Sequence, residues 1–166
     1  MRSSRSWWAS RARQFRAHLA ASVTPQERAA LAAWTTPAQL ALFDMMHVAD
    51  RRHGLDVAAS LRAEGVTEPD VLLAGLLHDA GKGDTGVWPR VAWSVAGTYG
   101  DWTLRLSCRI PGFGPALERL RRHADVSADL AAAAGCTARA VRLIRFQEAP
   151  TDPEFGELLR LADEAN

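Results

Sequence analysis

The chain has 166 residues and a formal net charge of +1, with 48% apolar and 23% charged residues. This length fits one globular unit with a substantial core, and the near-neutral charge gives no strong signal for nucleic-acid binding. No apolar run approaches the roughly 20 residues that span a bilayer, so no transmembrane segment is predicted. The two cysteines are isolated and lack CxxC spacing, so we expect a reducing, cytoplasmic setting.

A basic segment opens the chain. Five arginines precede the first acidic residue, Glu27, and they are Arg2, Arg5, Arg11, Arg13 and Arg16. They surround Trp7 and Trp8 and interrupt any apolar core that a secretory signal peptide would need. We interpret residues 1–36 as a basic arm with leading helices, in which the arm either frays into solvent or makes a weak contact with a membrane surface or a polyanion. Residues 37–166 should form the main helical domain.

Capping residues and glycines divide the chain into helices. The expected helical ranges are 25–34, 37–50, 51–64, 69–79, 115–123, 127–134, 138–148 and 155–166, with one or two short helices within 87–108. Threonine before proline marks two of the starts, and the spacing of a capping box at 67–70 and 151–154 marks two more. No strand-like alternation of any length is present, so the fold should be all-α, a compact bundle of several helices.

The apolar run at 71–77 ends abruptly in His78 and Asp79. A carboxylate at the end of a buried helix loses its hydration, which is unfavourable unless a partner compensates, and a bound cation is the simplest partner. Neighbouring residues point about 100° apart on a helix, so both can bind one ion only near a helix end. The glycines at positions 81, 83 and 86 predict a flexible turn there.

Two further residues complete a set of metal-type ligands. His53 lies in the predicted helix upstream of the doublet, and Asp163 lies beside a leucine stripe in the last helix. Imidazole nitrogen and carboxylate oxygen together suit Zn, Mn, Fe and similar divalent ions. An incomplete protein shell would leave positions for water and substrate.

This order of residues, within the segments RHGLDVAASLRAEG, LLAGLLHDAGKGD and LADEAN, resembles the HD-domain superfamily of metal-dependent phosphohydrolases over residues 39–166. The resemblance implies an HD-like helical bundle and a divalent ion, with Mn, Fe, Zn, Mg and Ni all compatible. The ligands that it implies are His53, His78, Asp79 and Asp163. It also implies that Asp79 bridges the ion and a nucleophilic water, and that Lys82 lies near a substrate phosphate.

Some members of that superfamily bind a second ion through further histidines. His123 looks like the first of these, but the segment LIRFQEAP offers Phe146, Gln147 and Glu148 where the second histidine is expected. One ion is therefore expected and a second stays open, with Glu148 as a carboxylate substitute or Gln147 as a weak oxygen donor.

Three functions are compatible with these residues. The resemblance favours hydrolysis of a nucleotide or another small phosphoester by metal-activated water. An iron-dependent oxygenase would need a fuller two-iron ligand set. A non-catalytic module, in which the site is vestigial or structural, could bind a signalling nucleotide or a protein partner through the basic arm. A small phosphorylated molecule is the expected partner, and the oligomeric state is left open.

Overall fold

A computed structural model describes residues 21–83, 85–99, 102, 108 and 110–166. Within these ranges the chain forms helices and no strand, which confirms the predicted all-α class. The helices are α1 (Pro25–Ala32), α2 (Pro37–Met45), α3 (Val48–Ala63), α4 (Pro69–Leu77), α5 (Val87–Tyr99), α6 (Phe113–Arg121), α7 (His123–Ala133), α8 (Ala138–Arg145) and α9 (Gly156–Ala165). A short 3₁₀ helix, Ala80–Lys82, follows α4. Residues 1–20, which include the arginines and tryptophans of the basic arm predicted within 1–36, lie outside the described residues.

Capping boxes start α1 and α2, as the sequence predicts. The side chains of Thr24 and Thr36 accept the backbone N–H groups of Glu27 and Gln39 at 3.2 and 3.3 Å. The side chains of Glu27 and Gln39 in turn accept the backbone N–H groups of the two threonines. Each box thus satisfies donors that the first turn of a helix leaves without partners.

The predicted boundary between the helices at 37–50 and 51–64 is wrong. α2 already ends at Met45, because Met46 adopts an extended backbone with a ψ of 151° and buries its side chain. His47 then caps α3, where its Nδ1 accepts the N–H of Ala49 at 3.3 Å. The other end of α3 agrees with the prediction, since Gly65 follows it with a positive φ of 87°.

Neither of the two later capping boxes forms. α4 has Glu68 at its N-cap without a side-chain bond, because Pro69 occupies the first helical position and makes the preceding residue the cap. Before α9, Asp152 accepts the backbone N–H groups of Glu154 and Phe155 at 3.1 and 2.9 Å. α9 consequently begins two residues after Glu154.

The remaining helices differ from prediction mainly at their ends. α6 and α7 adjoin at Arg122, α8 stops three residues before position 148, and α5 occupies part of the segment predicted at 87–108. In α9 the buried stripe consists of Leu159 and Ala162, whereas Leu161 is 49% exposed.

The apolar helix α4 forms the centre of the core. All residues from Val71 to Leu77 are buried, and α4 packs against α2, α3, α8 and α9. Leu31 of α1 belongs to the same core, so the leading helix packs with the predicted 37–166 domain. Of the helices in the described ranges, none combines the length and the apolar character needed to cross a bilayer.

Two glycines allow the elements around the predicted site to approach closely. A Cβ atom on Gly54 of α3 would lie 2.3 Å from the carbonyl oxygen of Leu76 in α4. A Cβ atom on Gly81 would lie 2.4 Å from the carbonyl oxygen of His123. Gly81 therefore belongs to a packed 3₁₀ helix, which corrects the predicted flexible turn, whereas Gly83 does turn the chain with a φ of 56°.

Candidate metal centre

Three helices bring His53, His78 and Asp163 together. His53 lies in α3, His78 caps the C-terminus of α4, and Asp163 lies in α9. Each residue offers one ligand atom, and these atoms lie within 4.8 Å of one another. Oδ1 of Asp163 is 2.7 Å from Nε2 of His53 and 3.3 Å from Nε2 of His78. Three of the four predicted metal ligands thus converge on one point.

The ring of His78 is buried and fixed in orientation. Its Nδ1 lies 2.9 Å from the carbonyl oxygen of Gly75, and because a carbonyl only accepts, Nδ1 carries the hydrogen. In the neutral ring Nε2 therefore presents a lone pair, and this buried atom has no hydrogen-bond partner among the described residues. Its neighbours are carboxylate oxygens of Asp163 at 3.3 Å and Asp79 at 3.5 Å. An inward lone pair beside carboxylate oxygens is typical of a metal ligand.

The charges of the cluster favour a cation. Burial opposes the ionisation of Asp79 and Asp163, but the surrounding histidines, and Lys82 in the case of Asp79, hold the pKa of both carboxyls well below the usual range. Burial also lowers the pKa of His78, but the two carboxylates outweigh it and raise that pKa to about 9, so without an ion the ring is protonated at neutral pH and a bound cation would replace the proton on Nε2. Two ionised carboxylates around imidazole nitrogens provide the negative charge that a divalent ion would neutralise.

Asp79 lies beside this group and uses its two oxygens differently. Oδ2 accepts a hydrogen bond from Nζ of Lys82 at 2.5 Å, whereas Oδ1 faces Nε2 of His78 and Nε2 of His123, at 3.5 and 3.7 Å. Asp79 is buried and Lys82 is partly exposed. The predicted roles of Asp79 as ligand and bridge, and of Lys82 as a phosphate contact, stay predictions.

His123 and Gln147 form the next part of the site. His123 is buried at the start of α7, and its Nε2 lies 3.4 Å from Nε2 of Gln147. Glu148, the alternative carboxylate substitute, is exposed. The structure therefore brings Gln147 rather than Glu148 to the predicted second-ion position.

A buried ion pair beside Lys82 escaped the sequence analysis. The guanidinium of Arg90 donates to both carboxylate oxygens of Asp50, one of them at 2.8 Å, and its Nε donates to the carbonyl oxygen of Thr85 at 2.8 Å. The Thr85 hydroxyl donates to the carbonyl oxygen of Lys82 at 2.5 Å. These contacts connect Lys82 and Thr85 to Asp50 of α3 through Arg90. The spacing of Asp50 three residues before His53 was a usable signal, since it places both on one helix face.

The chain matches no protein-family model, no curated protein and no solved structure. Two imidazoles and a carboxylate, with a second carboxylate alongside, suit a divalent ion that the protein holds on one side and leaves open to water and substrate on the other.

Proposed function

We propose that this protein is a metal-dependent phosphohydrolase of the HD-domain type that acts on a nucleotide or another small phosphoester. The supporting observation is the buried Nε2 of His78, which faces carboxylate oxygens of Asp79 and Asp163 and has no hydrogen-bond partner among the described residues. A buried polar atom without a partner costs about 1–3 kcal/mol, and a cation between the nitrogen and the oxygens would remove that cost.

His53, His78 and Asp163 would hold the ion, which when bound lowers the pKa of a coordinated water and polarises a phosphoryl oxygen. The carbonyl group of Gly75 fixes His78 in the tautomer that ligation through Nε2 requires. Asp163 contacts both imidazoles, so it sets the orientation of the two rings relative to each other.

Asp79 suits the task of orienting the attacking water. Burial raises the pKa of Asp79, but the charges of His78 and Lys82 outweigh this effect and hold the pKa well below the usual range. Oδ1 is therefore a weak base that accepts a hydrogen bond. Burial lowers the pKa of Lys82, but Asp79 and Asp50 outweigh it and raise that pKa, so the ammonium group stays charged. Because Lys82 is partly exposed, it can pair with a phosphate oxygen at the mouth of the site.

Metal analysis combined with a phosphoester screen tests this proposal. Protein purified without chelators is analysed by mass spectrometry for bound metals, then supplied with Mn²⁺, Fe²⁺ or Zn²⁺ and assayed for phosphate release from nucleotides and sugar phosphates. The variants His53→Ala, His78→Ala and Asp163→Asn each remove one ligand. Asp56→Asn is the matched control, because Asp56 lies on α3 one turn after His53 but pairs with Arg52.

We expect ion binding and phosphate release in the wild type and in the control. Each ligand variant should lose the ion, with kcat falling at least about 100-fold. A folded wild type that binds no divalent ion, or ligand variants with undiminished turnover, would contradict the proposal. Tight ion binding without hydrolysis of any phosphoester would instead favour the non-catalytic binding module.

A further inference from the structure

Three buried polar side chains enclose a second position beside the candidate metal centre. They are Asp79, His123 and Gln147, which are 2%, 8% and 6% exposed. Oδ1 of Asp79 lies 3.7 Å from Nε2 of His123, and Nε2 of Gln147 lies 3.4 Å from the same imidazole nitrogen. The hydrogen-bond donors and acceptors of these groups determine whether a second cation binds there or is excluded.

The orientation of His123 is fixed from outside the position. Its Nδ1 lies 2.6 Å from the carbonyl oxygen of Leu120, so in the neutral ring Nδ1 carries the hydrogen and Nε2 presents a lone pair inward. A lone pair in this position could bind an ion. It instead faces the side-chain amide of Gln147, whose NH₂ group is a donor.

The orientation of the Gln147 amide is also determined. Its Nε2 lies 3.3 Å from the backbone carbonyl oxygen of His78 as well as 3.4 Å from Nε2 of His123. Rotating the amide by 180° would place its oxygen against both acceptors, which is unfavourable. Each N–H of the amide therefore has one acceptor, and the amide lies where an ion bound to His123 would need a negatively charged ligand.

We propose that Gln147 closes the second cation position, so that the centre of the proposed function binds a single ion. The amide supplies a hydrogen to His123 Nε2 in place of a metal, and it brings no negative charge of its own. A glutamate has nearly the same shape but offers oxygens and a charge. Gln147→Glu would place a second carboxylate beside Asp79 and His123, which is a ligand set for a divalent ion.

Counting bound Mn²⁺ tests this inference without reference to activity. The wild type and its variants are saturated with Mn²⁺, passed through a desalting column and analysed for metal per chain. Electron paramagnetic resonance then shows whether two Mn²⁺ ions are coupled. Gln39→Glu is the matched control. Gln39 is an equally buried glutamine, but its side chain accepts the backbone N–H of Thr36 at the start of α2. The double variant Gln147→Glu/His123→Ala removes the proposed second site again.

We expect one ion in the wild type and in Gln39→Glu, two coupled ions in Gln147→Glu, and one in the double variant. Two ions in the wild type would overturn the inference, since Oε1 of Gln147, which has no partner, would then act as a ligand. A folded Gln147→Glu chain that still binds one ion would also overturn it. If Gln147→Glu does not fold, Gln147→His provides the second ligand, and the wild-type count decides on its own if neither variant folds.

The inference rests on the metal centre of the proposed function, but the two can fail separately. One ion in the wild type and two in Gln147→Glu, without hydrolysis of any phosphoester, would leave the inference intact and contradict the proposed hydrolase activity. Hydrolysis by a wild type that holds two ions would do the reverse. A wild type that binds no ion contradicts both.

Discussion

Replacing Gly54 by alanine should separate the two helices that carry His53 and His78. Gly54 follows His53 in α3, and the added Cβ would lie 2.3 Å from the carbonyl oxygen of Leu76, two residues before His78. The clash involves backbone on both sides, so no side-chain rotation can relieve it. The rings of His53 and His78 have centroids 5.1 Å apart, and their separation depends directly on this helix contact.

The magnitude follows from the distance. Carbon and oxygen need to be about 3.4 Å apart for ordinary contact, so α3 and α4 must move apart by about 1 Å. Such overpacking costs about 1–3 kcal/mol or more, whereas alanine in place of glycine gains about 1 kcal/mol in a helix. We expect Gly54→Ala to lose up to about 2 kcal/mol of stability relative to the wild type, and about 1–3 kcal/mol relative to a glycine-to-alanine change without the clash. Metal–ligand distances tolerate about 0.2 Å, so affinity for the ion should fall at least about tenfold.

Thermal unfolding and calorimetric titration with Mn²⁺ measure the two effects. For a chain of this size a loss of 1 kcal/mol lowers Tm by about 2–4 °C. The control is Gly114→Ala in α6, where a Cβ would meet nothing within 4 Å. That variant should keep or slightly increase the wild-type Tm and bind the ion as the wild type does. If Gly54→Ala matched Gly114→Ala in both measurements, the helix contact would not set the geometry of the site.

Three further perturbations test other parts of the structure. Ser127→Ala removes the hydroxyl that accepts the N–H of Gly81 at 2.7 Å, and the buried donor left without a partner should cost about 1–3 kcal/mol; an unchanged urea midpoint would contradict this. Asp152→Ala removes the acceptor of two backbone N–H groups and should cost about 1 kcal/mol at pH 7. Hydrogen bonds from an arginine of α8 and from the backbone hold the pKa of Asp152 well below the usual range. The stability that this carboxylate contributes is therefore lost as the pH falls below about 4, and the difference in unfolding free energy between the wild type and Asp152→Ala should become smaller there. Lys82→Gln removes a cation that is hydrogen-bonded to Asp79, so affinity for Mn²⁺ measured by calorimetry should rise about tenfold. The KM for an active phosphoester should rise as well, because the phosphate loses a positively charged contact. Weaker ion binding would contradict this and show that Lys82 helps to hold Asp79 in place for the ion.

The helix starts show which sequence signals were reliable. Threonine directly before proline correctly predicted the caps of α1 and α2. Glu68 and Asp152 also stand directly before a proline. Glu68, rather than the predicted Thr67, is the N-cap of α4, and Asp152, rather than the predicted Thr151, accepts the backbone N–H groups of the turn before α9. Proline has no N–H to satisfy and a fixed φ, so Pro69 determines the first residue of α4 more strongly than the spacing of a capping box does, whereas Pro153 opens a turn before α9.

The candidate site was predictable only in part. His53, His78 and Asp163 each lie on a helix with a strong apolar pattern, so their convergence follows from packing those helices around one core. The position of Gln147 depends instead on where α8 ends, and α8 ends at Arg145, earlier than its sequence suggests. The hydrogen bonds of that amide reach 69 and 24 positions back along the chain, which no local pattern encodes.

The charges around the site link the metal to the proposed class of substrate. Asp79 and Asp163 are ionised, and Lys82 and His78, whose pKa is raised to about 9, each carry one positive charge, so these four groups have no net charge in the absence of an ion. Asp50 does not change this balance, because Arg90 pairs with it. A bound divalent ion would take the place of the proton on His78 and give these groups, together with the ion, one net positive charge. Unit charges 5 Å apart interact by about 3 kcal/mol at an effective dielectric constant of 20, so a phosphate dianion is attracted by the loaded group and gains no net attraction from the metal-free one. Ion binding should therefore precede substrate binding, and selection for an anionic phosphoester follows from the same carboxylates that hold the ion.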